Sequence, residues 1–449
     1  MNSQIEANGH VNPPWNPQRL RALVEDKRVH RDVYSNKEVF ALEMERIWAR
    51  AWIYVGHESQ VKEPGDYITT TIGLTPVIMV RDPNGEDIHV LKNRCGHRGA
   101  MVCEARWGKT NQGMFQCPYH GWTFRADGSL RSYPAPGGYK EVGFDKNKAE
   151  YGMLPVARVE RYRGFVFASL ASTGPDFLSF AGRVAETIDN MVDRAPDAEV
   201  EVTGKTCHRF RHPANWKFFT ENLHDAMHPM IAHGATTDAV HRYVQTLEDD
   251  HAPLPEAEVI APFGGSYDFF DNMGFTGLSN GHGFMGGKSS IMSHYEAYPD
   301  YLEAMYASHG RERTEEILSA NRHNTLLYPS CTIRDNIQSI RVVIPVSVNE
   351  TIIESWTFRL KGAPNNMLER TLRYSRLINS PGSMVGPDDL SCYKRIQVSA
   401  EAGSIEWIDA HRHHGRQEET GDGITTTGTS DFALLNQYRA WVDYMTADS

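Results

Sequence analysis

The chain has 449 residues, 40% of them hydrophobic and 23% charged, and a formal net charge of −11. That length sets an expectation of two or three domains with ample core, and the composition is that of a globular protein. The negative charge argues against nucleic acid as a partner, no apolar run approaches the roughly 18 residues of a membrane span, and six cysteines are too few for a disulfide scaffold.

The opening stretch, MNSQIEANGHVNPPWNPQRL, is polar and Pro-containing. It lacks the basic lead and apolar core of a secretory signal, so it is expected to be loose and the protein cytoplasmic. From about 36 to 50 the apolar spacing is helical. From about 51 to 170, short β-rich runs (DYITTTIG, TPVIMVRD, DIHVLKN, GFVFASL) are split by Gly, Pro, Asn and Asp, which predicts a small antiparallel β domain. Helical signals return near 175–193 and 214–227, followed by the strands RVVIPVSV and TIIESWTFRL and by helical signals at 365–378 and 431–446. The expected organisation is a helical lead over 1–50 packing on the catalytic domain, a β domain over 51–170 and an α+β domain over 171–449. There is no internal repeat or low-complexity segment.

Two short loops pair a thiol with an imidazole: Cys95 with His97 in NRCGHRGAMVC, and Cys117 with His120 in QCPYHGW. Soft thiolates suit iron–sulfur or zinc. The spacing departs from the usual zinc-finger pattern. It fits a Rieske centre, where one iron takes both cysteines and the other both histidines. Gly96, Gly99 and Gly121 let such loops turn closely. Cys103, Cys207, Cys331 and Cys392 read as ordinary buried thiols.

A second constellation lies in NWKFFTENLHDAMHPMIAH, residues 215–233. On an ideal helix Asp225 and His228 fall about 60° apart, and His233 about 140° from His228. The helix must therefore bend or end for both histidines to meet one ion, and Pro229 supplies the break. Two histidines and a carboxylate form the facial triad of non-haem Fe(II) oxygenases, with open positions for dioxygen and substrate. Two histidines five apart are weak evidence by themselves, and unrelated polar residues are the plain alternative.

The strings C-x-H-R-G…C-x-x-H-G-W and N-W-K-x-x-x-E-N-x-x-D-x-x-H-x-x-x-x-H resemble the large (alpha) subunit of Rieske non-haem iron ring-hydroxylating oxygenases, over about residues 36–446. The resemblance implies an all-β Rieske [2Fe–2S] domain. It also implies an α+β helix-grip (START-like) catalytic domain, with a curved antiparallel sheet wrapped on long helices. It places a [2Fe–2S] cluster on Cys95, His97, Cys117 and His120, and Fe(II) on His228, His233 and a downstream carboxylate in NSPGSMVGPDDLSCY. The family position is Asp389, with Asp388 as the alternative, because Gly386, Leu390 and Ser391 depart from the family's acidic or amide pattern. Met227 stands where an aromatic is frequent. Asp225 would bridge His228 to His120 of the partner subunit, which implies a cyclic trimer.

The implied activity is that of the terminal oxygenase of a multicomponent aromatic-ring dioxygenase. Electrons would come from NAD(P)H through a separate reductase, with or without a ferredoxin. The assembly would be a homotrimer, or a hexamer with a small subunit. The pocket positions carried over are Asn222, Leu223, Arg334, Val343, Asn379 and Val385. A buried Arg334 would need a counter-charge, which a substrate carboxylate would supply, so an aromatic acid is the expected substrate. The plain alternative has Arg334 in solvent or bonded to Asp335. Rival activities are monooxygenation or oxidative demethylation, and a non-catalytic electron carrier or redox sensor that lacks mononuclear iron. GHGFMG followed by GKSS mimics a phosphate loop, but His282 stands where Gly is required. His411, His413 and His414 are expected on an exposed loop.

Overall fold

The computed structural model describes residues 14–205, 207–248, 251, 253–286, 294–421 and 423–447. The first 13 residues, expected to be loose, and the GKSS segment at 287–290 lie outside the described residues. The β-rich texture after residue 51 forms strands β1 (Ile53–His57), β2 (Asp66–Ile72), β3 (Thr75–Arg81), β4 (Ile88–Lys92), β5 (Trp107–Lys109), β6 (Met114–Gln116), β7 (Thr123–Arg125), β8 (Leu130–Ser132), β9 (Arg158–Tyr162) and β10 (Phe165–Ser169). They pair as three antiparallel sheets, β4-β3-β2-β5, β8-β7-β6 and β9-β10-β1. β3 shows why its sequence is continuously apolar. Successive side chains point to opposite faces, so Val77 and Met79 enter the main core while Ile78 and Val80 enter a second core containing Cys95, Cys117 and Trp122.

The C-terminal half is built on one ten-stranded antiparallel sheet. Its strands are β11 (Val200–Val202), β12 (His208–His212), β13 (Phe275–Gly277), β14 (Gly283–Gly286), β15 (Arg322–Leu327), β16 (Cys331–Arg334), β17 (Ser339–Ser347), β18 (Glu350–Leu360), β19 (Glu418–Thr420) and β20 (Gly423–Thr426). The order is β11-β18-β17-β16-β15-β14-β13-β20-β19, with β12 also pairing β18. β14 contains most of the GHGFMG run, so that run is sheet. Buried His282 is held by the Phe180 carbonyl and the Tyr328 N–H.

The helices that bear on the site are α1 (Lys37–Glu43), α2 (Trp216–Asn222), α3 (Pro229–Ala232), α4 (Gly234–Gln245), α5 (Asn365–Tyr374), α6 (Gly386–Glu401) and α7 (Phe432–Thr446). The helical signal at 214–227 stops at Asn222, so Asp225 lies in a non-helical connection rather than on a helix face shared with His228. α6 was not foreseen, because only Tyr393, Gln397 and Ala400 of its 16 residues are buried. That stripe is too polar to show as periodicity.

The lead is tied to the C-terminal half through a buried carboxylate. Glu43 accepts from Lys217 Nζ at 2.5 Å, Trp441 Nε1 at 2.7 Å and Trp216 Nε1 at 3.0 Å. The main core includes Leu20, Trp48, Phe167, Trp216, Tyr328 and Trp441, so burial is continuous across residue 170. Of the thiols expected to be buried, Cys331 is, Cys103 and Cys207 are half-buried, and Cys392 is exposed. Cys392 sits on the outer face of α6. Among the described residues no helix is long and apolar enough to cross a membrane.

Candidate metal centres and adjoining cleft

The two Cys/His loops are closed by the same pair of backbone bonds. Cys95 N–H donates to Ala100 O at 2.8 Å and Gly99 N–H to Cys95 O at 3.0 Å. Cys117 N–H donates to Trp122 O at 2.8 Å and Gly121 N–H to Cys117 O at 3.1 Å. Gly99 and Gly121 both take positive φ, 76° and 67°, which those turns require. Gly96 serves a different need: a Cβ there would lie 2.4 Å from the Tyr151 backbone. Both thiols are buried, and the His97 and His120 rings meet at 4.8 Å, with His97 stacked on Trp122.

His97 Nδ1 is buried and has no protein partner, which fits an imidazole waiting for a metal. Among the described residues, the one group of three or more His, Cys or acidic side chains whose ligand atoms converge on a point is elsewhere, so these four do not surround a single ion as a zinc site would. A two-iron cluster, with a cysteine end and a histidine end, suits them.

The convergent group is His228, His233 and Asp389. His228 caps α3, whose first residue is Pro229, and His233 stands between α3 and α4. This break turns the two imidazoles toward each other, with ring centroids 5.5 Å apart at 81°. Asp389 sits in the first turn of α6, and its Oδ1 lies 3.5 Å from His228 Nε2 and 3.4 Å from His233 Nε2. Burial pushes the Asp389 carboxyl above its ordinary value although both histidines pull it down. A divalent cation held between them would offset that penalty.

Asp388 does not join the three. Its Oδ2 lies 3.3 Å from His233 Nδ1, on the far side of the ring, where it sets that imidazole's orientation. Asn222 Nδ2 donates to Asp389 Oδ1 at 3.3 Å and lies 3.1 Å from His228 Nε2. Asp225 Oδ1 accepts from Met227 N–H at 2.7 Å and His228 N–H at 3.4 Å. Its Oδ2 faces His228 Nδ1 at 3.7 Å, beyond hydrogen-bond range.

Residues 51–144 match the Rieske [2Fe–2S] domain family, and residues 196–422 match the ring-hydroxylating alpha subunit (catalytic domain) family. The anthranilate 1,2-dioxygenase large subunit of Acinetobacter baylyi is 32% identical, over 92% of this chain and 88% of the relative. The chain belongs to the ring-hydroxylating alpha-subunit family. The toluate 1,2-dioxygenase alpha subunit of Pseudomonas putida is 28% identical, over 93% of this chain and 91% of the relative. A biphenyl dioxygenase alpha subunit of Paraburkholderia xenovorans is 30% identical, over 97% and 95%. A solved naphthalene 1,2-dioxygenase from Rhodococcus sp., bound to indole, shares the fold at a TM-score of 0.77 and 23% identity, covering 97% of this chain and 98% of that one.

This alpha subunit is thus an oxidoreductase of the Rieske [2Fe–2S] and non-haem iron class, and its family works as multicomponent, oligomeric oxygenases. A catalytic domain over 196–422 removes the reading as a mere electron carrier.

Beside His228, His233 and Asp389 the alpha subunit has a narrow cleft. Of the expected pocket positions, Asn222, Leu223, Arg334 and Val385 line it. Val343 and Asn379 do not line it: Val343 is packed into the main core, and a π-turn at Ser375–Asn379 brings Ile378 to the cleft instead. Arg334 is only 4% exposed, and its Nε donates to Asn324 Oδ1 at 2.5 Å. Its Nη1 is buried without a partner. Burial and the neighbouring Arg341 hold its pKa well below the usual guanidinium range.

Asp335 makes no ion pair with Arg334, and its Oδ1 accepts from Asn336 N–H at 2.7 Å. Both plain alternatives for Arg334 are therefore absent among the described residues. Sequence reasoning missed Asn324, His323 and Arg341, which also line the cleft. Only strand register reveals them. His411 is exposed and bonds to nearby Asp409, whereas His413, bonded to Tyr267, and His414 are half-buried, and the three make no convergent metal set among the described residues.

Proposed function

We propose that this chain is the large subunit of a cytoplasmic terminal oxygenase that adds dioxygen to the ring of an aromatic carboxylic acid. The observation that carries the substrate class is Arg334 Nη1, buried and unpartnered in the cleft beside His228, His233 and Asp389. A guanidinium in that setting needs a counter-anion, and a carboxylate offers a matching geometry. The names of two relatives, anthranilate 1,2-dioxygenase and toluate 1,2-dioxygenase, support the reading.

Cys95 and Cys117 would hold one iron of the cluster and His97 and His120 the other, while His228, His233 and Asp389 would hold the mononuclear iron. When bound, the cluster supplies electrons and the mononuclear iron supplies dioxygen activation. The protein does the rest. Arg334 fixes the acid end, Leu223 and Val385 exclude water around the ring, Asn222 holds Asp389, and Asp388 orients His233. Asp225 would connect His228 to His120 of the partner subunit in a trimer, with or without a small subunit. A separate reductase would draw on NAD(P)H, with or without a ferredoxin.

Replacing Arg334 with Leu should raise KM for the aromatic acid about tenfold to a hundredfold, and far less for a neutral analogue. Equal effects on both would remove the aromatic-acid reading. Labelled dioxygen should leave two labelled atoms in a cis-dihydrodiol product; a single labelled atom would make the enzyme a monooxygenase.

A further inference from the structure

The pairing of β16 with β17 sets Thr332 opposite Arg341. Residues opposite each other, and those two apart on one strand, share a face, so Arg334 and Arg341 emerge together. Asn324 of β15 joins them. Its Oδ1 accepts from Arg334 Nε at 2.5 Å and from Arg341 Nη2 at 3.1 Å, so one neutral oxygen ties two guanidiniums side by side. Its amide donates to Leu223 O at 2.8 Å, and its own carbonyl lies 2.9 Å from His224 Nε2, which fixes the linker.

Both arginines line the cleft beside the His228, His233 and Asp389 group. Tyr374 lies 5.1 Å beneath Arg334, and Phe219 lies 5.2 Å beneath Arg341. These rings cushion the cations without neutralising them. Among the described residues neither guanidinium has a carboxylate within ion-pair distance. Each keeps one buried nitrogen without a partner, Nη1 of Arg334 and Nε of Arg341. Arg334 is buried and Arg341 half-buried, and Asp389 attracts Arg341 only from beyond ion-pair distance, so two adjacent cations with no direct partner are costly unless a ligand completes them.

We propose that Arg334 and Arg341 form a single anion clamp. The two oxygens of one substrate carboxylate take Arg334 Nη1 and Arg341 Nε, so Arg341 selects acids over neutral rings as Arg334 does. The clamp rests on the aromatic-acid reading for its ligand class. A carboxamide carries no charge, so whatever hydrogen bonds its oxygen accepts it cannot neutralise the two guanidiniums.

The test measures dissociation constants of benzoate and benzamide on the oxidised holoenzyme by titration calorimetry. Arg341→Met should weaken benzoate about tenfold to a hundredfold and leave benzamide within about threefold, as Arg334→Met should. Asn324→Asp keeps both arginines but gives them an internal carboxylate. It should weaken benzoate similarly, and it decides the matter if Arg341→Met fails to fold. Benzoate affinity kept in Arg341→Met, or in Asn324→Asp, but lost in Arg334→Met overturns the clamp and leaves the aromatic-acid reading standing. Benzoate unmoved by all three variants, or a wild type that binds benzamide as tightly as benzoate, ends both.

Discussion

His228 and His233 face one point because Pro229 opens a new turn between them, and the ring nitrogens that point away from each other meet different acids. Asp388 at His233 Nδ1 would be an outer partner of a metal ligand, and such partners tune metal affinity. Asp388→Ala should lower iron affinity about 10–100-fold with the cluster absorbance unchanged, measured by iron dialysis against a chelator series. Iron retention equal to wild type would make Asp388 a bystander. Asp225→Asn keeps the oxygen that accepts from Met227 N–H, so the local turn should survive. Chemical reduction of the cluster should proceed as in wild type while turnover falls at least about tenfold. Retained turnover would remove Asp225 from the electron route. These residue types and spacings were legible in the sequence. Their surroundings were not, because Asp388 and Asp389 could be separated only by seeing which face of His233 each one meets.

Helix α2 shows how an element carries both stability and pH dependence. Glu221, next to its last residue, is half-buried and accepts from the Tyr438 hydroxyl. Burial pushes its carboxyl up to about 7. A carboxyl raised in the folded state stabilises the fold below its unfolded value of about 4.3, and that stability is lost as pH rises through about 7. Glu221→Gln should therefore unfold at the same urea concentration at pH 7.5 and pH 5.5, after correction for other titrating groups, while wild type is weaker at pH 7.5. A wild type and a variant with the same pH slope would show that Glu221 stays charged. The elements foreseen from periodicity were those with a wide apolar face, such as α7 with Tyr438, Trp441 and Met445 buried. α6 escaped because its buried stripe includes Gln397. The π-turn after α5 shifted Asn379 off the cleft, because its wider turn rotates the side chains beyond it out of the α-helical phase.

At the scale of the molecule, the lead, the catalytic helix α2 and the C-terminal helix α7 share Glu43. Glu43→Gln would leave Lys217 as an uncompensated buried charge, and it should cost about 3–5 kcal/mol in unfolding free energy, read from the denaturant midpoint, with the cluster ligands untouched. A loss near zero would show that Lys217 is neutral in the fold. The sequence alone determined the two thiol–imidazole loops and the histidine pair. Their ligands lie within a few residues of each other, and glycine or proline between them sets the turn. Tertiary structure decided which distant groups complete those sites. Asp389 reaches the histidines only because α6 packs against α2, and Arg341 joins Arg334 only through the register of β16 on β17. Register and helix packing are set by burial summed over whole faces, so no local pattern around Asp389 or Arg341 announces where they arrive.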